Sequence, residues 1–186
     1  EAKSKSNKII KKAKQLDVAF RANQTEYSFD ADGTQVNVTF TSPLLIEDLE
    51  IYSRPISYIS VKIAGQEARK AKVYLGTSSA IAINQPVQEV EVSEYKNGAL
   101  SILKAGSVAQ PVLEKKGDDL RIDWRYLYVG APATNLTQFV TPAAQGLDAF
   151  VSGAIKDTDE KATGKNLMLN IVADLGEIDE EGIEQV

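Results

Sequence analysis

Glu114, Lys115, Lys116, Asp118, Asp119, Arg121 and Asp123 crowd one stretch of the chain, and Trp124, Tyr126 and Tyr128 follow at every second position. Aromatic residues at a spacing of two fall on one face of a strand. Beside carboxylates and basic groups, such a row can stack a sugar or dock a neighbouring domain. A plainer reading is that the rings cover the core while Asp118, Asp119 and Asp123 pair with Arg121, Arg125 or nearby lysines. The candidate contact residues are therefore Lys115, Lys116, Asp118, Asp119, Arg121, Asp123, Trp124 and Tyr126.

Other motifs carry less. Ser93-Glu94-Tyr95-Lys96 and Ser101-Ile102-Leu103-Lys104 match Ser-x-x-Lys, in which a lysine one helical turn away takes the serine proton. Both lie in strand-like sequence, where positions i and i+3 point to opposite faces. Gly76-Thr77-Ser78-Ser79-Ala80 approaches a nucleophile elbow but lacks its final glycine, and reads as a polar strand end. Asp30-Ala31-Asp32-Gly33 resembles the opening of a calcium loop, yet Thr41 stands where the bidentate glutamate belongs. It reads as a hairpin. No catalytic residue, metal ligand or cofactor is assigned.

The chain has no cysteine and no histidine, which removes disulfides, thiolate chemistry and every histidine-based triad. A net charge of −5 argues against nucleic acid as a partner, because that affinity rests on neutralising phosphates. No stretch reaches the roughly 18 apolar residues that span a bilayer. Lysines crowd the first fourteen residues and carboxylates crowd 174–184, as in solvated tails. A chain opening on Glu1 reads as a piece of a longer protein.

The elements that would position the candidates are strands. At 186 residues the chain buries about 70% of its unfolded surface, enough for one core. Period-two alternation marks Val36–Phe40, Ile59–Ile63, Ala71–Leu75 and Leu167–Ile171. Further strand-like runs lie at Leu16–Phe20, Glu26–Phe29, Val90–Val92, Ala99–Leu103 and Leu120–Val129. Asp32-Gly33 signals a hairpin, and Asn97-Gly98 signals a type I′ turn. Thr141-Pro142 is the best helix start, running to Phe150 before Gly153, and 153–164 reads as a long loop. The expectation is an all-β antiparallel sandwich of nine or more strands with one or two short helices. Residues 1–12 would be a basic lead-in, 13–176 a single domain and 177–186 an acidic linker.

Three phrases carry a family resemblance: Thr39-Phe40-Thr41-Ser42-Pro43-Leu44-Leu45, Ser53-Arg54-Pro55-Ile56-Ser57-Tyr58, and the run from Lys115 to Trp124. The ending Asn166 to Gly176 adds a fourth. Together they resemble the non-catalytic N-terminal region of the glutaminase A family, a DUF5127-type domain. Arg125 departs from the pattern, where a glycine-like residue is more familiar. The resemblance implies a periplasmic or extracellular parent hydrolase converting L-glutamine to L-glutamate and ammonia. It also implies a following helical toroid domain that holds the catalytic carboxylates and is this chain's partner.

The expected function is therefore a non-catalytic, interdomain-packing β-sandwich, inactive alone, with Lys115 to Tyr128 as the contact. The alternative is a carbohydrate-binding or adhesive sandwich with a glycan as partner, which needs an exposed row of Trp124 and tyrosines. An autonomous hydrolase built on Asp and Glu pairs ranks last.

Overall fold

The computed structural model describes residues 10–114, 116–118, 122, 124–143, 145–156 and 161–186. Among these residues the fold is mostly β, with three antiparallel sheets and two short helices, as the alternation predicts. Residues 11–186 form two compact units, 74–173 and 11–73 with 174–186. It changes unit at Val73/Tyr74 and again at Ala173/Asp174.

The second unit holds a sheet ordered β1-β2-β3-β4-β12, from strands β1 (Lys14–Phe20), β2 (Gln24–Ala31), β3 (Thr34–Thr41), β4 (Tyr58–Gly65) and β12 (Ile183–Gln185). Register places Val18, Tyr27, Val38 and Val61 in one row and Phe29, Val36 and Ile63 in the next, giving one apolar face. Tyr27 stacks near Phe29 at 6.2 Å and meets Phe40 edge-on at 6.0 Å on that face. The β2–β3 hairpin turns at Asp32 (φ 53°) and Gly33 (φ 84°), the two positive φ values a type I′ turn requires. Asp30 Oδ1 accepts the Gly33 N–H at 2.8 Å and closes it.

The first unit is a two-sheet sandwich. One sheet is ordered β10-β6-β7-β8, from β6 (Val90–Asn97), β7 (Leu100–Ser107), β8 (Tyr126–Pro132) and β10 (Lys161–Gly164). The other is ordered β5-β11-β9, to which this unit contributes β9 (Leu136–Pro142), β5 (Arg69–Ser78) from Tyr74 onward and β11 (Leu167–Ile178) up to Ala173. Val90, Val92, Leu103 and Ala105 meet Leu167 and Leu169 in its core, with Leu127, Val129 and Val140 at the margin. Burying a leucine such as Leu103, 1% exposed, is worth about 1.5–3 kcal/mol. A polar pair also crosses this core: Gln138 Nε2 donates to the Ser101 carbonyl at 3.2 Å, and the Ser101 hydroxyl donates to Gln138 Oε1 at 2.7 Å.

The local expectations need four corrections. The 141–150 helix starts later, as α2 (Gly146–Ser152), because Thr141 and Pro142 end β9, paired with Met168 and Leu167. Its end is as expected, with Gly153 left-handed at φ 69°. At the β6–β7 turn Asn97 pairs with Leu100, so positive φ falls on Gly98 (59°) alone, the type II′ pattern rather than I′. The 153–164 loop contains β10, recruited by the edge of β6. Residues 183–185, in the acidic stretch, pair with β4. Helix α1 (Leu49–Tyr52) and strand β9 carried no expectation.

Candidate functional site

Two surfaces concentrate side chains that the folding of their own unit does not consume. The first is the outer face of the β10-β6-β7-β8 sheet. Because Val92, Leu103 and Ala105 turn into the core, the alternate residues Glu91, Ser93, Lys104 and Gly106 face outward. Register then aligns Thr163, Glu91, Gly106 and Tyr126 in one cross-strand row, and Lys161, Ser93, Lys104 and Tyr128 in the next.

Gly106 matters because it has no side chain. A Cβ there would collide with Tyr126 Cδ1 and Cε1 and would lie 2.9 Å from Gln110 Nε2. The Tyr126 ring occupies that space against the strand. Lys104 Nζ stands 3.8 Å from the ring centroid, a cation–π contact. Tyr128 lies alongside, with ring centroids 6.3 Å apart and planes at 57°. A cavity of about 150 Å³ opens here, lined by Glu91, Ser93, Lys104, Gln110 and Tyr126 among others. Gln110, at φ 41°, folds back so that its Nε2 donates to the Ser107 carbonyl at 2.9 Å. Lys161 Nζ reaches Glu91 Oε1 at 3.2 Å and offsets that charge.

The sequence-predicted candidates are only partly gathered. Lys115, Asp119, Arg121 and Asp123 lie outside the described residues. Lys116 and Asp118 are exposed. Trp124 is half-buried in a bend that precedes β8, so the aromatic stripe on the strand is Tyr126 and Tyr128. The reading that these rings cover the core is overturned: Tyr126 is 46% and Tyr128 53% exposed, and Leu127 and Val129 face the core between and beyond them. Of the described candidates, Tyr126 alone lines the cavity; Glu91, Ser93 and Gln110 were missed. The signal for Glu91 and Ser93 was the outward phase of β6, legible only once Val90 and Val92 are set inward; Gln110 lies past the end of β7 and carried no such signal.

The second surface belongs to the other unit. Leu44, Leu45, Ile46, Leu49, Tyr52 and Ile56 are all exposed, Ile46 at 81% and Leu49 at 74%. The Asp48 side chain caps α1 by accepting the Ile51 N–H at 3.0 Å, and so fixes the turn that carries Leu49 and Tyr52. Ion pairing between Arg54 and Glu50 braces the same turn. The unbroken run Leu44-Leu45-Ile46 was the available signal, since it does not alternate as a half-buried strand would.

The nucleophile candidates behave as strand chemistry predicts. Ser93 with Lys96, and Ser101 with Lys104, sit on β6 and β7 rather than on a helix. Ser78 ends β5, and its Oγ accepts the Ala80 N–H at 3.2 Å, capping a 3-10 turn over Ser79–Ala82. Among the described residues no three acidic side chains gather to hold a metal ion, and no helix is long and apolar enough to cross a membrane.

Comparison with known proteins gives one family. Residues 23–186 match the profile described as a domain of unknown function, DUF5127. No curated protein matches the chain.

Proposed function

The chain belongs to the DUF5127 family, and from that membership we propose that it is a non-catalytic packing module that braces a neighbouring domain. The observation that carries this reading is the apolar segment 44–56. Single exposed leucines are ordinary, but a run that leaves Leu44, Leu45, Ile46, Leu49, Tyr52 and Ile56 in water marks a surface meant to be covered. Covering it removes apolar area from water at about 25 cal/mol per Å².

The neighbour in this reading is a helical toroid domain of a periplasmic or extracellular glutaminase, which hydrolyses L-glutamine to L-glutamate and ammonia. Its support is the resemblance of the quoted phrases to that family; two of them, Thr39 to Leu45 and Ser53 to Tyr58, flank or enter the apolar segment. The helical domain carries the catalytic carboxylates, and this chain supplies the apolar face they are braced against.

The test compares ammonia release from L-glutamine by this chain alone and by a longer polypeptide that also carries the helical domain. Activity in the longer polypeptide only, lost or weakened by Ile46→Asp with Leu49→Asp, is the expected result. Activity in this chain alone overturns the packing role, and activity in neither overturns the substrate.

A further inference from the structure

The Tyr126 recess has features that sheet packing does not require. A glycine inside a strand is destabilising relative to alanine, yet Gly106 is there and the Tyr126 ring fills the place of its side chain. Gln110, a non-glycine residue at positive φ, closes the end of the recess. Lys104 holds its ammonium on the ring, and among the described residues it has no carboxylate partner. Glu91 does not fill that role, being paired with Lys161.

Size and chemistry narrow the occupant. Sites for drug-sized ligands and cofactors enclose about 300–1,000 Å³, whereas this recess is about 150 Å³, the scale of one sugar ring. Hydroxyl, amide and carboxylate groups of Ser93, Gln110 and Glu91 match a polyhydroxylated ligand, which both donates and accepts. The exposed parts of Tyr126 and Tyr128 offer flat apolar area to the C–H face of a pyranose. The Lys104 ammonium, without a carboxylate partner among the described residues, adds a preference for an anionic substituent at the same place.

We propose that the outer face of β6, β7 and β8 is a binding site for a single hexuronate unit of an acidic saccharide. Lys104 meets the sugar carboxylate, Tyr126 and Tyr128 receive the ring, and Glu91, Ser93 and Gln110 read its hydroxyls. The site lies within the first unit and does not rest on the packing role.

The test is a titration of the whole chain, amide shifts followed by NMR, with oligogalacturonate and with the neutral galacto-oligomer of equal length. Movement of amides at 91–93, 104–110 and 126–128 is expected with the acidic oligomer. The neutral oligomer and the Lys104→Gln variant should each bind about tenfold more weakly, equivalent to about 1.4 kcal/mol. Tyr126→Ala, shown folded by unchanged amide signals of first-unit core residues away from the site, such as Leu167 and Leu169, should abolish the shifts. Equal binding of both oligomers, binding unaffected by either variant, equal binding of a polyglutamate peptide, or no shifts at these amides would each overturn the assignment.

Discussion

The Tyr74 hydroxyl donates to Asn170 Oδ1 at 2.8 Å, joining residues 96 positions apart in one buried polar node. Asn170 is wholly buried, and its Nδ2 donates to the carbonyls of Phe139 and Met168, both at 3.0 Å, and to Thr141 Oγ1 at 3.2 Å. Burial raises the Tyr74 pKa, which keeps the hydroxyl protonated as a donor. The Tyr74 ring stacks on Phe150 of α2 at 5.2 Å, and α2 can approach because Gly146 has no Cβ, which would sit 2.7 Å from Tyr74 Oη. Tyr74→Phe keeps the ring and strands Asn170 Oδ1. We expect a loss of about 1–3 kcal/mol in urea unfolding, and an unchanged midpoint would mean that water replaces the hydroxyl.

A pH dependence follows from Lys72 and Asp174, whose Nζ and Oδ2 lie 3.0 Å apart in the second unit. The lysine hydrogen bond, then the Gly176 N–H, hold the Asp174 carboxyl below its ordinary value. A depressed carboxyl stabilises the fold above its unfolded pKa, and the contribution disappears as pH falls through the folded value. Lys72→Gln should therefore lower stability at neutral pH, where Asp174 is ionised, flatten the acid limb of a stability-against-pH curve, and bring the two curves together at low pH. Parallel curves for the two proteins below pH 4 would show that the pair contributes nothing.

Ile46→Asp together with Leu49→Asp should leave the stability of the chain within about 0.5 kcal/mol, because neither side chain is buried. The same pair should lower binding of a hydrophobic dye and raise solubility. A large drop in thermal midpoint would show instead that these residues support the fold of their own unit.

Gly33→Ala tests the hairpin. With φ at 84° and open space around the position, the cost is conformational rather than steric, about 1–2 kcal/mol for an L-residue held left-handed. Thermal unfolding reads it, and Gly33→Asn should recover part of the loss, because asparagine tolerates positive φ.

Strands with one face in the core were legible. Val36, Val38 and Phe40, or Val90 and Val92, alternate with polar neighbours because the pleat turns successive residues opposite ways. Strand β9 was not, because both its faces are occupied. Phe139 is 1% exposed on one side, and on the other Gln138 is 8% exposed and bonded to Ser101, so polarity ceases to report direction. Strands β10 and β12 are short and polar, and exist because β6 and β4 offer unpaired edges.

The candidate site shows the same division. Tyr126 and Tyr128 could be placed on one face from spacing alone, but which face met solvent could not. Gly106, Lys104 and Glu91 sit on other strands, and their nearness to Tyr126 depends on register.

The sequence by itself determined the all-β class, the main alternating strands, the hairpin at Asp32-Gly33 and the absence of histidine and cysteine chemistry, since these depend on residue type and near neighbours. Tertiary structure alone decided the division into two units, the late start of α2, the outward turn of the tyrosines and the recess between Gly106 and Tyr126. Each of those is set by hydrogen bonds and side-chain contacts between residues far apart in the chain, where no local pattern carries the pairing.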